Sequence, residues 1–249
     1  MGNLPAKPVA PSLTERNLPN QSGRVYLVTG ATSGIGRELA QILYSADAKV
    51  WITARSQSKA EKTISDIRSR APNSKGSLST IIIDFDDLDT IKPAVERFLA
   101  QETHLDVLFN NAGVMIPPDG TKTKQGYEAQ LGINCVAPFL LTSLLLPLLT
   151  QSVKQATSTA GSTRIVWVSS SAVERFAPPG GIEMGNLDYR IPKGQWHKYG
   201  TSKAGNLFHA SEFARRFAST GIVSVVRLAI NNLILQFTNE LKRPATPAI

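Results

Sequence analysis

With 249 residues the chain can bury one sizeable core but not two independent ones, so a single globular unit is expected. At 42% hydrophobic and 18% charged residues it has neither the charge excess of a disordered chain nor the long apolar runs of a membrane protein. The net charge of +8 is spread along the chain rather than gathered in a stripe, which argues against nucleic acid as a partner, and the single cysteine, Cys135, excludes an intramolecular disulfide and suits a reducing compartment, by default the cytoplasm.

Residues 1–22 hold four prolines and few large apolar side chains, and they read as an extended arm docking on one domain that runs from 23 to 249. No secretory leader is visible, and Ala6 stands where a myristoylation signal carries Ser or Thr. Apolar runs at 25–28, 49–53, 80–83, 105–109, 164–168 and 222–226 read as strands, with helical patterns between them such as 35–44 and 58–70. Six strands alternating with helices predict an α/β fold, a Rossmann-type doubly wound parallel sheet with helices on both faces and ligands beyond the strands' carboxyl ends. The most apolar stretch, 139–149, is short for a bilayer and contains Pro147, so a buried helix and no transmembrane segment are expected; 152–162, rich in Ser, Thr and Ala, reads as a surface loop.

At the first βα junction stands Thr29-Gly30-Ala31-Thr32-Ser33-Gly34-Ile35-Gly36. Glycines there let the backbone approach a pyrophosphate, whose charge helix N-terminal amides stabilise, although such a turn can also be purely structural. Arg55 follows the second strand, where a cation would pair with the 2′-phosphate of NADP; taken alone, a solvated surface arginine is as good a reading. Tyr199 and Lys203, four residues apart, share a helical face. A phenol with a pKa of about 10 needs nearby positive charge to work as an acid-base near neutrality, and by spacing alone the two also fit an ordinary surface pair. Ser169-Ser170-Ser171 closes the fifth strand with hydroxyls that could hold a substrate oxygen or merely cap a turn. Asn134, just before Pro138, is read either as a functional group or as a polar residue at a helix kink. His104, His197 and His209 have no metal-ligand spacing with one another or with Cys135 and read as surface or cap residues, so no metal is expected. Trp51 and Trp167 read as core, and Trp196 as lining a pocket near Tyr199.

Taken together these residues resemble the short-chain dehydrogenase/reductase family, through T-G-x-x-x-G-x-G at 29–36, N-N-A-G at Asn110-Asn111-Ala112-Gly113, V-S-S ending at Ser170, and Y-x-x-x-K at Tyr199 and Lys203. The resemblance implies a nicotinamide dinucleotide held by Gly30, Thr32, Ser33, Gly34, Ile35, Gly36, Asp84, Asn111, Ala112, Gly113, Tyr199 and Lys203, with Arg55 in register for NADP(H) over NAD(H). It implies a catalytic set of Asn134, Ser170, Tyr199 and Lys203 acting on a small carbonyl or alcohol substrate, and a homodimer paired through the helices near 127–149 and 199–217. The 28 residues between Ser170 and Tyr199 resemble the retinol-dehydrogenase-like branch, and Leu13-Thr14-Glu15-Arg16-Asn17-Leu18-Pro19 resembles fungal reductases. This insertion, 172–198, carries Phe176, Met184, Leu187 and Trp196, which points to a partly apolar substrate. The resemblance stops at 227–249, which lacks the family's Pro-Gly clasp, as in a truncated or alternatively spliced form. The seventh strand is therefore expected to be missing or altered, and a catalytically impaired dinucleotide-binding or interaction protein is the alternative.

Overall fold

The computed structural model describes residues 14, 15, 17–155 and 161–229. Its six described strands form one parallel sheet in the order β3-β2-β1-β4-β5-β6. They are β1 (Val25–Val28), β2 (Lys49–Ala54), β3 (Ser77–Ile82), β4 (Val107–Asn110), β5 (Arg164–Ser170) and β6 (Val223–Ala229). Each run found in the sequence thus becomes a strand, because side chains alternate between two covered faces and both must be apolar. In β1, Val25 and Leu27 enter a cluster with Phe98, Leu141, Leu145, Trp167 and Phe213, while Tyr26 and Val28 enter the opposite cluster with Leu39, Leu43, Ile52 and Ile67. The second cluster is covered by α1 (Gly34–Ser45) and α2 (Gln57–Arg70), the first by α3 (Ile91–Leu99), α5 (Ala137–Val153) and α7 (Gln195–Phe217). The strand order turns back between β1 and β4, and in doubly wound sheets such a switch point is where a ligand crevice forms at the carboxyl edge.

Three boundaries differ from the sequence reading. Ser152 belongs to α5 rather than to a surface loop: its buried hydroxyl donates to Leu148 O at 2.8 Å and accepts from Leu105 N at 2.8 Å, a double bond count that composition does not reveal. The apolar helix is also longer than 139–149. With α4 (Ala129–Leu131) and a π-helical turn, Gly132–Val136, it runs from Ala129 to Val153, 25 residues that by length and composition could cross a membrane. Here it is a core helix, since 56% of that apolar window is buried in the fold. Finally, the last strand runs past the apolar run at 222–226: Arg227, Leu228 and Ala229 continue β6 and pair with Val168, Ser169 and Ser170. Residues 230–249, the rest of the tail that departs from the family pattern, lie outside the described residues.

Of the arm, the part next to the domain docks through Gln21, which is buried, donates its backbone N–H to Ala46 O at 2.7 Å and accepts from the Tyr26 hydroxyl. Residues 1–13 lie outside the described residues.

Candidate active site

One half of the site is the turn after β1. Thr29 Oγ1 accepts from the amides of Asn111 and Ala112, both at 2.9 Å, and donates to Phe109 O at 3.1 Å, so the turn is stitched to the loop after β4. Gly30 and Gly36 are demanded by this closeness. A Cβ on Gly30, where φ is +65°, would lie 2.7 Å from Ala112 Cα, and one on Gly36 would lie 2.5 Å from both Gly30 O and Asn111 Nδ2. The other side of the turn is open: nothing lies within 4 Å of the position a Cβ on Gly34 would take. Ser33 is the N-cap of α1 but makes no side-chain capping bond, which leaves the first amides of the helix without a side-chain acceptor. Thr32 and Ile35 are half-buried and Ser33 exposed along the same rim. Arg55 is exposed immediately beyond β2. Asp84 sits two residues beyond β3; its Oδ1 accepts from Asp86 N at 3.1 Å, and its backbone is held by Thr90.

The other half gathers where α7 and the π turn meet the ends of β4 and β5. A π turn places one extra residue in the helical ladder, and here it turns the Asn134 side chain fully inward. Asn134 Oδ1 accepts from Val114 N at 2.7 Å, while Nδ2 donates to Val114 O at 2.9 Å and to Ser202 Oγ at 3.0 Å. Asn134 is thus both the polar residue at a helix irregularity and the anchor of the 113–114 loop. Gly113 lies against it: an added Cβ would be 2.9 Å from Asn134 Oδ1 and 3.4 Å from Lys203 Nζ.

Lys203 is buried, and its ammonium donates to Val168 O at 3.0 Å. Burial lowers its pKa from 10.5 to about 8. Tyr199, one helical turn earlier, lies with its ring centre 5.8 Å from Lys203 Nζ. Its half-buried phenol is held above the ordinary tyrosine value by desolvation, opposed by a hydrogen bond with Ser170. The three serines at the end of β5 are thereby distinguished. Ser169 Oγ donates to Lys203 O at 2.8 Å and fastens α7 to the strand, whereas Ser170 faces Tyr199 and also accepts from Ala172 N at 3.2 Å, so it is a turn residue and a candidate site hydroxyl at once.

The structure therefore brings Asn134, Ser170, Tyr199 and Lys203 into one cluster beside Gly113, and leaves Arg55 and Asp84 on the far flank of the crevice, at the ends of β2 and β3. Three supporting groups escaped the sequence reading. Ser202 Oγ donates to Tyr199 O at 2.8 Å while accepting from Asn134. Asn206 Nδ2 donates to Val168 O at 3.0 Å, sharing the acceptor of Lys203. Gly205 leaves a notch filled by the Cys135 thiol. Asn206 was legible in principle, since it lies three residues after Lys203 on the same helical face.

His209 is half-buried rather than a plain surface residue. Its ring stacks on Phe139 and lies tilted against Trp167, both centres at 5.1 Å, and its Nε2 lies 3.2 Å from Cys135 Sγ. Burial pushes that thiol up to about 12 and the imidazole below its ordinary value, so both are neutral at physiological pH. Among the described residues no three His, Cys, Asp or Glu side chains could hold a metal together.

The chain is similar to known proteins of one family. A family model described as short chain dehydrogenase matches residues 24–180. A short-chain dehydrogenase/reductase of Phomopsis amygdali is 51% identical over 220 residues, covering 88% of this chain and 65% of that protein. The short-chain dehydrogenase/reductase pkfC of Emericella nidulans is 48% identical over 217 residues, covering 86% of this chain and 69% of that protein. The chain thus spans about two thirds of the length of these relatives. Among solved structures, an uncharacterised protein of Mycobacterium paratuberculosis superposes with a TM-score of 0.69 at 29% identity, over 92% of this chain and 76% of that one. A short-chain dehydrogenase of Shigella flexneri, solved with NADP, gives a TM-score of 0.60 at 25% identity, over 85% of this chain and 77% of that one. On the evidence of its parallel six-stranded sheet, its matched residues and these relatives, the chain belongs to the short-chain dehydrogenase/reductase family.

Proposed function

We propose that the chain is an NADP(H)-dependent oxidoreductase that interconverts a small carbonyl compound and its alcohol. The observation that carries this reading is the hydroxyl pair of Ser170 and Tyr199 beside the buried Lys203, at the switch-point crevice of the sheet.

The residues fit a dinucleotide. The Gly30 to Gly36 turn is tight on its protein side and open above Gly34, and the uncapped amides of α1 are donors for a diphosphate. Arg55 would pair with a 2′-phosphate, Asp84 would meet the adenine end, Asn111, Ala112 and Gly113 would form the wall of the crevice, and Lys203 would hold ribose hydroxyls near Tyr199. When bound, the nicotinamide supplies or accepts the hydride. The chain's own part is to hold the carbonyl and to move the proton. Ser170 and Tyr199 donate hydrogen bonds to the carbonyl oxygen, and because burial keeps the phenol protonated near neutral pH, Tyr199 Oη is ready to give its proton to the developing alkoxide. Lys203 favours the resulting phenolate with its charge, and Asn134, through Ser202 and Val114, fixes the helix and loop that frame the site. The same proposal includes a cytoplasmic location and a homodimer, the latter supported by Phe139 on α5 and Phe208 on α7, both exposed.

Titration of NADPH and NADH, followed by protein melting, tests the cofactor side. NADPH is expected to bind more tightly, and Arg55→Ala to weaken NADPH at least tenfold while sparing NADH. Tyr199→Phe is expected to keep NADPH binding and lose at least a hundredfold in carbonyl reduction. Binding without turnover by the parent chain would replace this reading with that of a non-catalytic dinucleotide-binding protein.

A further inference from the structure

The hydroxyl pair of Ser170 and Tyr199 is flanked by two rings. Phe176 lies in α6 (Ala172–Phe176), which starts two residues after Ser170, and Trp196 lies three residues before Tyr199 on α7. Phe176 and Trp196 stack with centres 5.0 Å apart and planes at 29°, and Trp196 meets the Tyr199 ring edge-on at 6.3 Å. The short helix that follows Ser170 and the helix that bears Tyr199 therefore each contribute one member of an aromatic pair.

The pair is unfinished as a packing arrangement. Trp196 is 47% exposed and Phe176 37%, whereas Trp51 and Trp167 are buried in the core. Large aromatic rings are normally covered, and an open pair beside a candidate reaction centre is surface that an occupant of the site would cover. The wall is also firmly held. Gln195 Nε2 donates to Pro117 O at 3.1 Å and to Asp119 Oδ1 at 3.0 Å, and Gln130 Nε2 donates to Gln195 O at 3.1 Å. Lys198, two residues after Trp196 on α7, is committed to Asp119 at 3.0 Å and lies over the Tyr189 ring, so its charge is turned to another partner.

We propose that the substrate is an aryl carbonyl compound or the matching benzylic alcohol, its planar ring lying on Trp196 and Phe176 while its oxygen reaches Ser170 and Tyr199. This rests on the oxidoreductase reading given above. In the reductive direction the carbonyl carbon gains a hydride from the reduced nicotinamide dinucleotide, the C=O π pair becomes an O–H bond with the proton of Tyr199, and the dinucleotide leaves oxidised; solvent returns the proton to Tyr199.

The test uses two ketones of similar size with one carbonyl each, acetophenone and cyclohexyl methyl ketone, with NADPH and the full chain. The planar ring is expected to give a kcat/KM advantage of roughly three- to tenfold. That advantage is expected to survive Trp196→Phe and to fall to near one in Trp196→Leu. Because Trp196 is the exposed tryptophan of three, acetophenone is also expected to quench fluorescence in the parent chain and not in Trp196→Phe. Turnover of both ketones with a ratio indifferent to Trp196→Leu would overturn the aryl assignment and leave the oxidoreductase reading intact. Bound NADPH with no turnover of either ketone would overturn both.

Discussion

The notch at Gly205 offers a sharp test of how the site is held. A Cβ added there would overlap Cys135 Sγ and lie 3.3 Å from Cys135 Cβ, and the thiol is kept in place by His209 at 3.2 Å. In an open helix, replacing glycine by alanine stabilises by about 1 kcal/mol. Overpacking of this kind costs about 1–3 kcal/mol, so Gly205→Ala alone is expected to be neutral or destabilising by up to about 2 kcal/mol. In a Cys135→Ala background the obstruction is gone and the helical gain returns. The double-mutant cycle is thus expected to show a coupling of about 1–3 kcal/mol, which for a chain of this size is a shift in Tm of about 2–4 °C per kcal/mol. Because Cys135 follows Asn134 in the π turn, turnover should fall in the single Gly205→Ala variant and recover in part in the double variant. The assays are denaturant unfolding of the four proteins and NADPH oxidation with a fixed carbonyl substrate. A coupling below about 0.5 kcal/mol would refute the packing argument, since independent sites give no more than that.

Lys203→Met should stabilise the fold while abolishing reduction. With its pKa lowered to about 8 in the folded chain against 10.5 ordinarily, the unfolded chain binds that proton more tightly, so the parent gains stability as pH climbs from 8 towards 10.5 and carries the full penalty below 8. The penalty is on the order of 3 kcal/mol, and unfolding at pH 7 and pH 10 should show the variant's advantage shrinking as pH rises. Gly113→Ala presses on both Asn134 and Lys203, and single-turnover kinetics should register a loss of at least tenfold with an unchanged far-UV circular dichroism spectrum. Glu102→Ala should cost about 1–3 kcal/mol in urea unfolding, because Trp51 Nε1, which donates to Glu102 Oε1 at 2.6 Å, is left buried without an acceptor; Glu102→Gln should cost less.

The strands were legible because both faces of a parallel sheet are covered, so the runs from 25–28 to 222–226 are mostly apolar, with Asp106 and Ser224 as polar interruptions. The need for glycine in the turn after β1 has a related reason, since Gly30 and Gly36 stand where two backbones touch and an added Cβ would collide. What stayed hidden depends on third partners. Ser152 looks like loop composition until Leu105 N is found against it, and His209 looks like a surface residue until Phe139 and Trp167 close around it. The choice among Ser169, Ser170 and Ser171 followed the family pattern alone; in the structure Ser169 is turned to Lys203 O and Ser170 to Tyr199. The π turn has no signature in hydrophobic periodicity, because its extra residue changes the phase of the helix rather than its composition.

That extra residue makes the helix intolerant of one kind of change in particular. Substitutions within Gly132–Val136 alter the contacts of one side chain, but deleting any one of these five residues would let the ladder close as an ordinary α-helix. Everything on the amino side would then turn by about 100° and slide by about 1.5 Å relative to α5. Gln130, which holds Ile116 N at 3.0 Å and reaches Gln195, would swing away from both, although the core side of α5 would be untouched. A library of single-codon deletions across this stretch should therefore yield chains that fold but have lost the junction between the 113–119 loop and the start of α7.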